Sequence, residues 1–444
     1  AIMTSKNTVD VIILGAGISG LSAAMHCSKL GKTPLLIEST ANIGGRARSF
    51  EDRVSGDVID NGQHVMMGCY ASFLELIQEI GMMHRIQKQK HLTIPFHFMN
   101  GEKDILVAKG IAGLNGPLGM ALGMLRLGFL QFSDKTSLIA FAVRLRLGIC
   151  KPGSMTAKEF LLSERQTDAL IDLIWTPVIL ATMNGKPEDV SASVFVTVLR
   201  LAFFGSGNAS SLYIPQCGLS ELFEPFEAWL NSRGGTMIRS NGVSSIQIEN
   251  GKVCGVTLHD GQMLSTSNVI TAIPPHALYK VIPESLQQHK YFSQLGQIRY
   301  SPIVSLYLWF DKAFPEIDLS AIMHAKTQWI FKKSTAMKTA QSLLALTISA
   351  GDDIIGLSTE DLAQQCAQEI RQCFPEMRDA QVLHWKVIKE KSATVLIDPA
   401  TEEIRPTQQS PIDGLFLAGD WTNTGLPATL EGAALSGKIA ASLI

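Results

Sequence analysis

Residues 9–40 read VDVIILGAGISGLSAAMHCSKLGKTPLLIEST, and this stretch decides the fold. Val9 to Leu14 is an apolar run of the kind buried on both faces of a parallel sheet. Gly15, Gly17 and Gly20 follow as GxGxxG and open a helix from Ile18 to about Leu30, with Gly31 placed to end it. A second apolar strand, Pro34 to Ile37, ends in Glu38. In that setting the glycines allow a tight turn, and the helix amides from Ser19 onward receive a pyrophosphate. Glu38 accepts hydrogen bonds from a ribose. An isolated GxGxxG also occurs as a glycine-rich turn without a ligand. Here a strand precedes it, a helix follows, and an acid closes the unit.

The rest of the chain is consistent with a large ordered protein. It has 444 residues, 46% hydrophobic and 18% charged, which suits two interleaved domains rather than one core. A net charge of −2 gives no electrostatic reason to expect nucleic acid. Seven cysteines are scattered without a CxxC pair or zinc-site spacing, so no metal is expected. Reduced thiols in a cytoplasmic protein follow from that pattern. A strand beginning by Val9 argues against a signal peptide. The most apolar segment, IAGLNGPLGMALGMLRLGFLQF (111–132), contains Pro117, Arg126 and many glycines, which speaks against a spanning helix.

Three further stretches extend the nucleotide unit. In IGGRARSF (43–50) the backbone at Gly45 can close on a phosphate, and Arg46 can neutralise it. The run GVSSIQIENGKVCGVTLHDGQMLS (242–265) reads as a β-meander with turns at Asn250-Gly251 and Asp260-Gly261. The C-terminal GLFLAGDWTNTGLPATLEGAALSGKIAASLI (414–444) repeats the opening design. A strand ends in Gly419-Asp420, and a helix begins near Thr429 and Leu430. Asp420 suits a ribityl hydroxyl or a phosphate-bound water, and the helix amides suit an electron-rich ring carbonyl.

GxGxxG, a ribose acid, GGR and a C-terminal GD-helix together resemble the flavin amine oxidase and phytoene desaturase superfamily. The resemblance implies an α/β fold, with a Rossmann-like domain of the glutathione-reductase type interleaved with an α+β substrate domain. It implies FAD, bound non-covalently because no Cys or His lies in GDWTNTGLPATLEG (419–432). It also implies that Val243 lies against the adenine; an ordinary strand valine is the competing reading. The expected division assigns 1–80, 206–280 and 406–444 to the FAD domain. It assigns 81–205 (helical and apolar) and 281–405 to the substrate domain.

Amine oxidases of this superfamily use an aromatic cage and a lysine near the flavin. The cage position is Thr429 here, and SPIVSLYLWF (301–310) contains no lysine. The isoprenoid branch is closer. IDNGQHVMMGCY (59–70), the Trp421 and Leu-Pro-Ala-Thr run, and EKSATVLIDP (390–399) are similar to bacterial hydroxysqualene dehydroxylases, although Ser392 stands where arginine is expected. That similarity implies reductive removal of the hydroxyl of hydroxysqualene to give squalene in hopanoid synthesis, with reducing power from an external electron donor. The rival readings are a carotenoid or squalene desaturase and a non-catalytic lipid escort of the same fold.

The superfamily places the turn after Asp60 beneath the isoalloxazine, with Gly62 and Gln63 touching it. His64 is then the candidate acid for a departing hydroxyl, and Asp60 a backbone or supporting partner. A structural histidine is the plainer reading of His64. Residues 111–149, rich in Leu, Met, Gly and Ala with Arg126, Arg144 and Arg146, suit helices that line an apolar tunnel and rest peripherally on a membrane. Ordinary core helices are the alternative.

Overall fold

A computed structural model describes residues 9–109, 117–205, 208–332 and 340–444. The expected domain boundary at 206 and the first six residues of 111–149 lie outside these. Three separated parts of the chain build one parallel five-stranded sheet. Its order is Thr236–Ile238, Pro34–Ile37, Val11–Leu14, Val269–Thr271 and Leu415–Leu417. The four strands other than Thr236–Ile238 are buried throughout, as expected for a sheet covered on both faces. The helix Ile18–Lys29 follows the glycine turn, and Gly31 takes the left-handed conformation (φ +76°) just beyond its end.

The C-terminal helix, Leu430–Ser442, packs on that first helix through small residues. A Cβ at Gly437 would stand 2.1 Å from the Ser19 carbonyl oxygen, so the two backbones touch where a side chain would separate them. The meander forms as Val243–Glu249, Lys252–Leu258 and Met263–Ser265, with Asn250 (φ +50°) and Gly251 (φ +77°) in its first turn.

A seven-stranded mixed sheet forms the floor of the second domain, and it was not visible in the sequence reading. Its order is Val382–Val395, Tyr300–Phe310, Leu343–Ser349, Trp329–Phe331, Leu319–Met323, Thr93–Phe98 and Lys103–Val107. The segment 81–205, expected to be helical, therefore begins with strands. The hairpin Thr93–Val107 turns at Asn100-Gly101, with Gly101 at φ +84°. That Asn-Gly pair was the overlooked signal. Helices Pro117–Leu125, Phe132–Arg146, Thr176–Met183 and Ala192–Phe204 follow. Among the described residues, no helix is long and apolar enough to cross a membrane.

Gly437→Val should force the two terminal helices apart and destabilise the FAD domain by about 1–3 kcal/mol, the usual cost of overpacking. A lowered urea midpoint against wild type checks this; an unchanged midpoint would mean that the helices slide without cost.

Candidate functional site

The glycine turn shows which residues serve the backbone and which leave room. A Cβ at Gly20 would lie 1.8 Å from the Gly15 oxygen, so that glycine is required by the turn itself. Gly17 differs: a Cβ there would meet only the Gly45 Cα, at 3.9 Å. Gly17 forms the N-cap of the first helix with no side chain bonded to its amides and no acid in its first turn. A bare cradle at a positive helix end fits a pyrophosphate. Glu38 closes its rim, accepting from the Ala16 amide (2.9 Å), the Thr40 amide (2.9 Å) and the Thr40 hydroxyl (3.0 Å). The backbone at 238–241 runs beside Glu38, and Gly242 abuts Ser39. Val243, half-buried and paired with Leu258, follows directly on that segment.

Arg46 does not wait as an isolated cation. Its Nη2 meets the Asp420 carboxylate at 2.6 Å, and its Nη1 donates to the Ala393 carbonyl at 2.5 Å. Asp420 is buried, and Ala393 belongs to the EKSATVLIDP segment. The positive charge is therefore already opposed by Asp420, and an arriving phosphate is offered the remaining donors of a half-exposed guanidinium. Tyr300 stands close by. Burial, and after it the Asp420 charge, pushes its phenol up to about 12.

One residue of this site was missed entirely. Arg405, only 4% exposed, donates to the carbonyls of Asp420 (3.1 Å), Trp421 (3.4 Å), Thr422 (2.5 Å) and Leu426 (3.0 Å). Burial lowers its basicity to about 10, which leaves it charged at neutral pH. It pins the loop between the last strand and the C-terminal helix. Nothing in the local pattern around Arg405 signals this, because its partners lie 15 to 21 positions further on.

The turn after Asp60 is bonded throughout. Asp60 is buried, and its Oδ1 accepts from the Ser49 hydroxyl (2.7 Å) and the Leu219 amide (3.0 Å). Its carbonyl accepts from the Tyr307 hydroxyl at 2.6 Å, and Tyr307 in turn accepts from Gln63 Nε2 at 2.7 Å. Asp60 is a buttress rather than an acid. Gln63 Oε1, by contrast, is buried without a hydrogen-bond partner among the described residues. A buried acceptor of this kind calls for a donor, and a flavin ring edge supplies one. His64 Nδ1 lies 2.8 Å from the Gly62 carbonyl. A carbonyl only accepts, so Nδ1 carries the hydrogen in this contact. The strand Tyr300–Phe310 reaches this turn through Tyr307, where a lysine is absent.

Thr429 is the N-cap of the C-terminal helix, its hydroxyl accepting from the Gly432 amide at 3.2 Å. Leu430 opens that helix, partly buried against the FAD-domain core. Glu431 turns away, accepting from the Ser72 (3.0 Å) and Phe73 (2.9 Å) amides at the start of helix Ala71–Glu79. Burial raises its pKa. Beside Thr429 an apolar cleft opens between this loop and the substrate-domain helices.

Arg405→Met should leave four buried carbonyls without their donor, a loss of about 3–5 kcal/mol for a broken buried charged group. Purified protein should then hold much less flavin, read from the visible spectrum. Arg46→Ala should also lower flavin content far more than Arg48→Ala; equal content in those two would remove the role given to Arg46.

Comparison with known proteins agrees with this geometry. The family described as flavin containing amine oxidoreductase matches residues 18–444. The chain is 25% identical to a 15-cis-phytoene desaturase of Synechococcus elongatus, covering 98% of this chain and 95% of that protein. It is 27% identical to a hydroxysqualene dehydroxylase of Rhodopseudomonas palustris, covering 98% of each. A solved oxidoreductase from Methanosarcina mazei superposes with a TM-score of 0.76 at 18% identity, over 98% of this chain and 100% of that one. The cradle at Gly17 and Gly45, the acid Glu38 and the unpartnered Gln63 oxygen suit FAD, and FAD is the cofactor. The chain belongs to the flavin-containing amine oxidoreductase family.

Proposed function

We propose that this FAD-dependent oxidoreductase reductively removes the hydroxyl of hydroxysqualene to give squalene, in hopanoid synthesis. The observation that carries the reading is the His64 turn, which joins a proton-exchanging group to the residues that bear on the flavin. Bound FAD supplies hydride transfer. An allylic hydroxyl leaves poorly as hydroxide and well as water, so its loss needs an acid. With Nδ1 held by the Gly62 carbonyl, an imidazolium at His64 would release its Nε2 proton to the departing oxygen. Asp60 and Tyr307 hold the turn in place for that transfer. The likeness to the Rhodopseudomonas dehydroxylase, over nearly the full length of both chains, supports the same reading.

Desaturation is the second reading, favoured by the 25% identity to the Synechococcus phytoene desaturase. It uses the same apolar site with hydride moving the other way, and needs no acid for a leaving hydroxyl. Oxidation of amines is disfavoured by Thr429 in the cage position and by the strand without lysine. A lipid escort needs no intact flavin site, whereas Glu38, Arg46 and Asp420 are all in place here.

The membrane proposal now has a particular face. Along helix Phe132–Arg146 and its end, Phe132 (83% exposed), Ile139 (42%), Val143 (51%) and Leu147 (66%) recur at seven- and four-residue intervals. That spacing puts them on one side of a helix. Arg126 and Arg146 are exposed near it. Arg144, expected to act with them, is instead ion-paired with Glu164 at 2.7 Å, so it contributes less to lipid attraction. We place this face on the head-group region of an anionic membrane, as a peripheral contact of a cytoplasmic protein.

Incubation of the protein with FAD, dithionite and hydroxysqualene should yield squalene by mass spectrometry; its absence would overturn the dehydroxylase reading. His64→Gln should keep flavin but lose turnover by about 10²–10⁴-fold. Near-normal single-turnover squalene formation by that variant would make His64 structural. Phe132→Ser combined with Leu147→Ser should reduce sedimentation with anionic vesicles by roughly tenfold, given the apolar area withdrawn. Unchanged sedimentation would remove the membrane face.

A further inference from the structure

The strand Val382–Val395 lies at the edge of the seven-stranded sheet and does not pair evenly with its neighbour, Tyr300–Phe310. Ser301 stands opposite Thr394, but Ile303 stands opposite Glu390. A step of two residues on one strand therefore meets a step of four on the other. The surplus at 391–393 is a bulge, a device that interrupts pairing and re-aims what the strand carries. What this bulge carries is the Ala393 carbonyl, which accepts from Arg46 Nη1 at 2.5 Å.

The end of the bulge is held by Asn184. This residue closes helix Thr176–Met183 in the left-handed conformation (φ 46°, ψ 47°), which asparagine tolerates better than most side chains. It is 5% exposed, and both ends of its amide are bonded. Nδ2 donates to the Ser301 carbonyl at 3.1 Å and to the Thr394 hydroxyl oxygen at 2.8 Å. Oδ1 accepts from the Ala350 amide at 2.8 Å. These partners fix which way the amide faces, because the Ser301 carbonyl only accepts and the Ala350 N–H only donates. Ser301, Ala350 and Thr394 stand at or just beyond the ends of three adjacent strands, Tyr300–Phe310, Leu343–Ser349 and Val382–Val395. One buried amide thus anchors the residue next to the carbonyl that holds Arg46.

We propose that Asn184 is a positioning residue for FAD: through Ser301 and Thr394 it keeps the bulge in the form that turns the Ala393 carbonyl onto Arg46, and so orients the guanidinium for the cofactor's pyrophosphate. This rests on the role given to Arg46 and not on the choice of substrate. The guanidinium is held from two sides, by Asp420 and by Ala393. Asp420 opposes its charge, whereas the neutral carbonyl helps to fix its plane, which sets where the remaining N–H donors point. Released from Ala393, the cation would keep its charge and lose part of its direction. Ordering it again on binding would then weaken the hold on a pyrophosphate.

The test is FAD titration of the apoprotein, followed by quenching of flavin fluorescence, in a double-mutant cycle with Arg46→Ala. Asn184→Gly keeps the left-handed turn and removes all three side-chain bonds; Thr394→Val removes only the one nearest Ala393. Each should raise the Kd for FAD by about tenfold when Arg46 is present, the size of effect expected for one hydrogen bond. With Arg46→Ala no guanidinium is left to orient, and each should raise the Kd by no more than about twofold. Equal effects in the two backgrounds would make Asn184 a support of the fold alone and overturn the proposal. An unchanged Kd in either single variant would overturn it as well. If Asn184→Gly does not fold, Thr394→Val in the two backgrounds decides by itself. Arg46→Ala alone separates the two claims. Wild-type affinity in that protein removes the role of Arg46 and with it the route by which Asn184 acts; weakened affinity with additive effects removes only Asn184.

Discussion

The Arg46–Asp420 pair joins residues 374 positions apart, and the architecture of the site depends on it. Asp420 is buried at the end of the last parallel strand, where a carboxylate without a cation would be costly. Arg46 reaches it from the loop after the second strand and also ties down Ala393 of the substrate-domain sheet. One guanidinium thus connects the N-terminal part of the FAD domain, its C-terminal part and the second domain. The sheet is completed only when all three chain passes have arrived.

Arg405 supplies the complementary constraint. The loop from Asp420 to Leu426 has little regular structure, and its carbonyls would otherwise be buried without donors. A single buried cation satisfies four of them, and this sets the position of Thr429 and the C-terminal helix. Glu431 then caps helix Ala71–Glu79 from the opposite side and fixes Tyr70, which immediately precedes it. The polar corner of the cleft is therefore the outcome of backbone satisfaction by groups on three distant segments.

The turn that carries His64 illustrates the same division between local and global causes. Its polar residues stand within a few positions of one another, and the sequence reading took Asp60 as a supporting partner, Gln63 as a flavin contact and His64 as the candidate acid. Packing separates them. Asp60 accepts from Ser49, Leu219 and Tyr307; Gln63 has one buried oxygen without a partner among the described residues; His64 is held at one nitrogen by its own turn.

The sequence by itself determined the nucleotide-binding half. The strand, glycine turn, helix and acid are contiguous, and each follows from local rules of φ, burial period and hydrogen bonding. The Asn250-Gly251 turn and the start of the C-terminal helix near Thr429 were legible for the same reason. Only the tertiary structure decided the rest. Arg405, Tyr307 and the seven-stranded sheet depend on partners tens to hundreds of positions away, and no local period encodes them. Arg144 looked like a lipid-facing cation until Glu164 was seen beside it, and the apolar face from Phe132 to Leu147 became distinct from core only through its exposure. Local chemistry is written in neighbouring residues, whereas charge compensation and burial are properties of the folded surface.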